Sequence, residues 1–414
     1  MSSTDLGLAA EEIARSQRQI RRKKRLAFAF VTPLLIFILF AFIAPIGTML
    51  YRSFYHPVVA ELIPDTLAQL KNWDGKSLPD EKTITTFSIE LHHLAKVRKS
   101  GVLAEELNRI QPGLSSMVKS TARKMKRAKI EDLQANGAQL LLETRDKWKK
   151  VEVWRAMGEA GKIFTNAYFL KALDLERNAD GEIQQRTSAK IYVDLYLKTF
   201  RIAFLITFLC ALLGYPLSYY LASLSNKKAN LLMVLVLLPF WTSLLVRTTA
   251  WIALLQTNGV INSFLMGIGL TSSPFEMLYT EFSTIIAMTH ILLPFMILPL
   301  YSVMKSIDPS YVRAAHSMGA KSFGAFVRIY FPMTLPGISA GALLVFIISV
   351  GYYITPALVG GTDGQMISNI IAFHMQSSNN WELAAALGTL LLVLILSFYY
   401  LFDRLVGTDS IKLG

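Results

Sequence analysis

Six long apolar stretches, at 26–51, 196–222, 230–256, 282–304, 337–360 and 383–406, constrain this chain more than any other feature. Each approaches or exceeds the roughly 20 residues that a helix needs to cross a hydrocarbon layer about 30 Å thick. No water is present there to satisfy backbone N–H and C=O groups, so a crossing segment of this length folds as a helix. The expected fold is therefore all-α, a polytopic membrane bundle of six transmembrane helices. Composition agrees: 53% of 414 residues are hydrophobic, more apolar surface than a water-soluble domain could enclose.

Charge gives the expected orientation. The formal net charge is +13, but Lys and Arg cluster beside the apolar stretches as the positive-inside rule expects, and nucleic acid is not an expected partner; the region 52–195 is placed outside although it is rich in Lys and Arg, because long translocated domains escape that rule. Arg21-Arg22-Lys23-Lys24-Arg25 precedes the first stretch, which is too long for a signal peptide and offers a poor cleavage context at Ala44-Pro45-Ile46. An uncleaved first helix with a cytoplasmic N-terminus follows. Lys227 and Lys228 join the second and third spans, and Lys305, Arg313, Lys321 and Arg328 lie between the fourth and fifth, whereas 257–281 and 361–382 hold no Lys or Arg. The expected division is a basic cytoplasmic N-terminus at 1–25, a first span at 26–51, a helical periplasmic insert at 52–195, a five-helix core at 196–406 and a cytoplasmic tail at 407–414. Both termini are then cytoplasmic, in a multi-pass protein of a bacterial inner membrane.

Within the insert, 83–110, 114–134 and 138–177 carry apolar residues at helical spacing, among them Leu91, Leu94, Val97, Leu103, Leu107 and Ile110. Breaks are expected at Gly101, Pro112-Gly113 and Gly137. The run Arg123-Lys124-Met125-Lys126-Arg127 reads as a solvated helix face. His92-His93 near Glu90 is a poor metal cluster, because adjacent side chains on a helix diverge. Cys210, the one cysteine, lies in an apolar stretch and is expected to be buried and inert. No metal site and no bound cofactor are expected in this chain.

The most informative segment is DPSYVRAAHSMGAKSFGAFVRIYFPMTLPGI, from Asp308 to Ile338. Asp308 can cap a helix that has Pro309 at its first position. Gly319 permits the left-handed turn that ends it, and Ser322 can open a second helix through Phe323, Phe326, Val327 and Tyr330. Pro332 and Pro336-Gly337 are expected to stop that helix before the fifth span. The product is a pair of short amphipathic helices suited to docking on another protein.

This segment resembles the coupling loop of ABC importer permeases, an EAA motif followed at a fixed distance by Gly and then by Ile-x-Leu-Pro. Ala314, Ala315, Gly319, Ile329 and Pro332 match, while Arg313 replaces the glutamate and Phe331 the leucine. The coupling site implied spans 305–336 and its borders, with Asp308, Arg313, Ala314, Ala315, Gly319, Ala320, Phe326, Ile329, Pro332, Pro336 and Gly337. The resemblance continues in LPFWTSLLVRTTAWIALLQTNGVIN, from Leu238 to Asn262, in GYYITPALVGG, from Gly351 to Gly361, and in Met366-Ile367-Ser368-Asn369. Those stretches are similar to the polyamine branch, which handles spermidine and putrescine. The region 60–190 has no counterpart in its ordinary short members.

The resemblance implies a second homologous permease, a cytoplasmic ATPase dimer that holds ATP and Mg, a periplasmic solute-binding protein and the lipid bilayer as partners. The chain is then a translocation subunit, not an enzyme, and it contains no Gly-x-x-x-x-Gly-Lys-Ser/Thr phosphate loop of its own. No Asp or Glu is expected inside the six spans, which disfavours an ion-coupled secondary transporter, since that usually needs a titratable carboxylate at mid-membrane. A polytopic enzyme or receptor is disfavoured by the lack of a catalytic constellation. Arg247 and His290 are the ionisable groups inside spans, and a structural role is favoured for both. Trp241, Trp251, Tyr352 and Tyr353 complete the candidate solute path, where aromatic faces and carbonyls freed near Pro356 could hold a cation. A polyamine leads as cargo, with an opine or amino-acid-like solute as the alternative.

Overall fold

A computed structural model describes residues 3–177, 182–186 and 190–406, so the tail expected at 407–414 lies outside the described residues. The chain separates into two compact units, residues 1–166 and 167–414.

In the first unit, helix α1 (Ser3–Ile38) passes through a π-helical turn, Leu39–Ile43, into α2 (Ala44–Phe54). The part from Ile20 to Phe54 is long and apolar enough to span a membrane, and its most apolar window is not covered by protein. The rest of the unit is a small all-α domain: α3 (Val58–Leu62), α4 (Pro64–Leu70), α5 (Glu81–Lys96), α6 (Ser100–Ile110), α7 (Leu114–Arg127), α8 (Ile130–Leu142), a 3-10 turn at Asp146–Lys149 and α9 (Val151–Ala160). Asp80 starts α5 by accepting the Thr83 N–H at 3.2 Å. Phe87, Trp148 and Trp154, all fully buried, meet at ring-centroid distances of 5.3, 5.6 and 5.8 Å and form the centre of the core. Trp148 Nε1 donates to Thr121 Oγ1 at 3.0 Å, and Trp154 Nε1 to the Trp148 carbonyl at 2.9 Å.

The domain opens and closes at one place. Tyr55 pairs with Phe164 in an isolated antiparallel bridge, His56 N–H donates to Ile163 O at 2.7 Å, and Thr165 N–H to Phe54 O at 2.9 Å. Buried Glu106 braces this neck, receiving His56 Nε2 at 2.8 Å and Arg109 Nη1 at 2.7 Å. Arg123, Lys124, Lys126 and Arg127 are exposed and Met125 is buried, the arrangement expected of a solvated helix face. One expected break falls elsewhere: the chain turns at Arg98, where φ is +59°, and Gly101 lies inside α6. The break expected at Gly137 is met one residue earlier, where α8 kinks at Asn136 with φ −134° and ψ 25°. A Cβ on Gly137 would come within 2.4 Å of Ser88 Oγ.

The second unit begins with α10 (Ala167–Ala172) and a two-stranded antiparallel hairpin, β1 (Leu175–Arg177) and β2 (Ile183–Gln185), which nothing in the all-α expectation anticipated. The described residues of 167–190 belong to the second compact unit, with the helices that follow. The helices that follow are α11 (Tyr192–Ser223), α12 (Asn226–Trp241), α13 (Leu244–Leu255), α14 (Val260–Gly267), α15 (Glu281–Ser306), α16 (Ser310–Ser317), α17 (Ser322–Ala325), α18 (Phe331–Gly351), α19 (Ile354–Val359), α20 (Ile367–Gln376) and α21 (Trp381–Val406). Among the described residues of the whole chain, five helices are long and apolar enough to span a membrane, and six if the bent pair starting at Asn226 counts as one.

Helices α11, α15 and α18 form the centre, packed through Cys210, Met288, Met296, Leu300, Met304 and Val345. Glycines let them approach. A Cβ on Gly337 would lie 3.2 Å from Leu300 Cα, and one on Gly341 2.7 Å from Met296 Sδ. Cys210 is fully buried, and its Sγ donates to Thr289 O at 3.5 Å. Helix α21 joins through Phe346 and Phe398, 4.2 Å apart, and through Tyr196 Oη donating to Leu387 O at 2.7 Å. The carboxylates of these helices, Asp194, Glu281, Glu382 and Asp403, stand in first or last turns, and Asp403 falls inside the stretch 383–406, expected to hold none.

Two expected spans are broken. The stretch 230–256 bends by 93° between α12 and the α13–α14 segment. Pro239 lacks the N–H that would continue the ladder, and Ser243 then starts α13 by accepting the Val246 N–H at 3.2 Å. The stretch 337–360 ends as a helix at Gly351, because Pro356 in α19 cannot donate to the turn before it. Conversely, Pro332 and Pro336 stop nothing. Helix runs from Ser322 to Gly351, with a π-helical turn at Phe326–Tyr330 that widens the backbone just ahead of Pro332.

His374 on α20 supplies a pH test. Burial, reinforced by the Lys171 charge, pushes its pKa down from 6.5 to about 4, and its ring meets Tyr192 Oη at 3.3 Å and Ser378 Oγ at 2.9 Å. A depressed pKa means stability that is present above 6.5 and lost as pH falls toward 4. Thermal melts in detergent at about pH 7 and about pH 5 should show a smaller loss for His374→Gln than for the native chain.

Candidate functional site

The segment after α15 folds as a hook. Asp308 Oδ1 accepts the Ser310 N–H at 2.8 Å, and that bond holds its carboxyl below the usual carboxylate range. Helix α16 ends in a Schellman turn: Gly319 has φ +86°, its N–H donates to His316 O at 3.0 Å, and Ala320 N–H donates to Ala315 O at 3.0 Å. Both bonds need a left-handed residue between them, and glycine supplies it without a Cβ penalty. Ala315 of α16 and Ala325 of α17 are both 1% exposed, so the two helices close on methyl groups. Met318 and Phe323, 80% and 79% exposed, project at the tip, with Tyr311 and Val327 also exposed. Ala314 and Arg313 face outward, Arg313 standing at the glutamate position of the motif.

The hook is rooted in the bundle. Phe326, half-buried Ile329 and Tyr330 occupy the π turn that leads into α18. Tyr219 of α11 meets Phe326 at 5.9 Å and Tyr330 at 5.3 Å, and Tyr215 meets Phe326 at 6.2 Å and Phe331 at 5.7 Å. Tyr215 Oη also lies 3.3 Å from Thr334 Oγ1. Lys305, in the last turn of α15, donates to Ala222 O at 3.3 Å and Leu224 O at 2.8 Å, capping the exposed carbonyls that end α11. Pro332, Pro336 and Gly337 lie inside the continuous helix that carries the hook into the bundle. Sequence reasoning missed Tyr215 and Tyr219, although their spacing of four placed both on one helix face.

The aromatic and ionisable candidates divide. Arg247 donates through Nη2 to Pro239 O and, at 3.2 Å, to Thr242 O, so it clamps the carbonyls exposed where α12 gives way to α13. One turn along α13, Trp251 Nε1 donates to His290 Nδ1 of α15 at 3.3 Å, with the rings edge to face. The Arg247 charge reaches both His290 and Tyr352. Thr248 and Thr355 place their hydroxyls 3.4 Å apart between α13 and α19. The structure thus brings Arg247, Trp251, His290 and Tyr352 to one junction of α13, α15 and α19. It leaves Trp241, 74% exposed at the end of α12, outside the hydrogen bonds of that junction.

The carbonyls expected to be free near Pro356 are occupied. Ser368 Oγ donates to Tyr352 O at 2.7 Å, and Asn369 Nδ2 donates to Tyr353 O at 2.7 Å. Asn369 Oδ1 in turn accepts the Met366 N–H at 3.0 Å. The Met366-Ile367-Ser368-Asn369 stretch therefore stitches the break between α18 and α19. Arg247→Met should deprive the Thr242 carbonyl of its donor, while Pro239 O keeps the Thr242 N–H and hydroxyl at 3.3 and 2.8 Å, at a cost of about 1–3 kcal/mol. A lower melting temperature of the detergent-solubilised chain, partly recovered in Arg247→Lys, is the expected result.

Among the described residues no group of three or more His, Cys, Asp or Glu side chains could hold a metal ion. Glu90 instead receives the Asp65 and Thr66 N–H groups at 2.9 and 3.1 Å, and His92 Nδ1 lies 2.7 Å from Met125 O.

Residues 214–408 match the family model described as the binding-protein-dependent transport system inner membrane component. The spermidine/putrescine transport system permease protein PotB of Escherichia coli (strain K12) is 35% identical over 220 residues, covering 52% of this chain and 80% of that protein. The inner membrane ABC transporter permease protein YdcU of the same strain is 32% identical over 231 residues, covering 52% and 72%. A chain in the crystal structure of a bacterial alginate ABC transporter, in complex with an alginate pentasaccharide-bound periplasmic protein, aligns with TM-score 0.45 and 19% identity over 55% of this chain and 82% of its own.

Proposed function

The chain belongs to the family of binding-protein-dependent transport system inner membrane components, and on that premise we propose that it is the membrane-spanning permease subunit of an ATP-driven importer of a small organic solute. It is a multi-pass inner-membrane transport subunit and not an enzyme. The observation that carries the mechanism is the hook at 308–330, closed by the Gly319 turn and continuous with α18. A cytoplasmic ATPase dimer, binding ATP and Mg, would seat Met318 and Phe323 in a groove, and its closure would move the hook. Because α17, the π turn and α18 form one rod, and Tyr215 and Tyr219 grip its base, that motion passes to α18 and α11 together.

The other partners proposed are a second homologous permease, to complete the path, and a periplasmic solute-binding protein to deliver the cargo. With the hook on the cytoplasmic side, both termini are cytoplasmic and the domain at 57–161 is periplasmic. For cargo, the relatives' names support a small amine, with spermidine and putrescine the first candidates. An opine or amino-acid-like solute is the second reading.

Purification from native membranes tests the assembly. Copurification of a nucleotide-binding subunit, lost on Met318→Asp with Phe323→Asp, is the expected result. A chain that purifies alone, or a hook accessible from the periplasm, sinks the proposal.

A further inference from the structure

The hook and the turn between α11 and α12 carry one sign of charge. Lys305 Nζ donates to Ala222 O and Leu224 O, which brings the start of α12, with exposed Lys227 and Lys228, beside the root of the hook. Arg313, Lys321 and Arg328 are exposed on the hook itself. Within 222–241 and 305–330 these six cations are accompanied by a single carboxylate, Asp308. It stands at the root, where its Oδ1 accepts the Ser310 N–H at 2.8 Å.

The positive-inside rule accounts for cations at the ends of spans, and Lys227, Lys228 and Lys305 fit it. Arg313 and Lys321 stand elsewhere. They come before and after the Gly319 turn, in the same part of the hook as Met318 and Phe323, the large apolar side chains that project into solvent there. A partner that covers those two side chains draws the neighbouring cations out of water with them, and a desolvated cation needs an opposite charge. Lipid headgroups are the weaker match, because α16 has eight residues and α17 four, short of the continuous apolar face with which a helix lies in a headgroup layer.

We infer that the seat of the hook is an apolar groove rimmed by Asp and Glu on the nucleotide-binding subunit, and that Arg313 and Lys321 select that groove by charge. The inference rests on the permease reading and adds the chemistry of its partner. A nucleotide-binding subunit with Lys or Arg around its groove is then rejected, since like charges brought together at an interface are strongly unfavourable.

A zero-length carbodiimide joins an amine to a carboxylate only when the two are in contact, so it reads the pairing directly. In the importer purified with its nucleotide-binding subunit, it should join Lys321 to an Asp or Glu of that subunit, identified by mass spectrometry of the linked peptides. Lys321→Arg should remove that product, because a guanidinium does not couple, and Arg313→Lys should add a second. Arg313→Glu with Lys321→Glu should lower retention of the subunit by at least roughly tenfold, and Arg313→Gln with Lys321→Gln by less. A subunit that copurifies yet gives neither cross-link, or that is held equally well by the doubly Glu-substituted chain, overturns the inference. So does retention that needs phosphatidylglycerol in the nanodisc and vanishes in phosphatidylcholine alone, which assigns the cations to lipid headgroups. Absence of any copurifying nucleotide-binding subunit is a different failure: it removes the permease reading, and the inference with it.

Discussion

Gly319→Val should abolish uptake while leaving the chain in the membrane, and Gly319→Asn should restore most of it. At φ +86° a β-branched residue is strained by about 1–3 kcal/mol, whereas Asn tolerates the left-handed region. A Cβ at this position would meet nothing within 4 Å, so the effect comes from backbone conformation and not from a clash. The two Schellman bonds to Ala315 and His316 would open, and with them the angle between α16 and α17. Since each 1.4 kcal/mol is a factor of ten, the properly folded hook should become roughly ten- to a hundredfold less populated. Uptake and solute-stimulated ATP hydrolysis measured in parallel check this; equal activity of the Val and Asn variants would refute the coupling role of the turn.

Trp148→Ala should unravel the domain at 57–161 without disturbing the second unit. The indole is fully buried against Phe87 and Trp154, and its N–H is satisfied by Thr121. Truncating such a side chain costs about 3–5 kcal/mol, a large part of the 5–15 kcal/mol that holds a typical domain together. Limited proteolysis of the membrane-embedded chain should cut within 57–161 faster by about two to three orders of magnitude, and 191–406 should survive as a protected fragment. Unchanged cleavage would mean that the aromatic cluster is not the keystone of this core.

Sequence reasoning succeeded where the signal was local. Apolar run length located the spans, and Gly319, a residue free to adopt a left-handed turn just past the end of an amphipathic stretch, located the tip of the hook. It failed where neighbours decided the outcome. Pro239 and Pro332 present the same missing donor, yet one precedes a 93° bend and the other lies within a continuous helix behind a π turn. That difference depends on Arg247 and Ser243 at the first site and on Tyr215 and Tyr219 at the second, none adjacent to the proline concerned. Ser243 was a readable clue, being a good helix-starting residue four positions past Pro239. Nothing in the chain announced the π turn. Likewise, no change in polarity marks residue 167, so the boundary between the two compact units was not legible.

The neck at Tyr55 and Phe164 has an implication for the history of such a chain. A body whose entry and exit lie one hydrogen-bonded step apart can be grafted into a loop without stretching what stands on either side. More than a hundred residues can thereby be acquired at little topological cost, and a foreign module with equally close ends, such as a fluorescent reporter, should be accepted at the same seam.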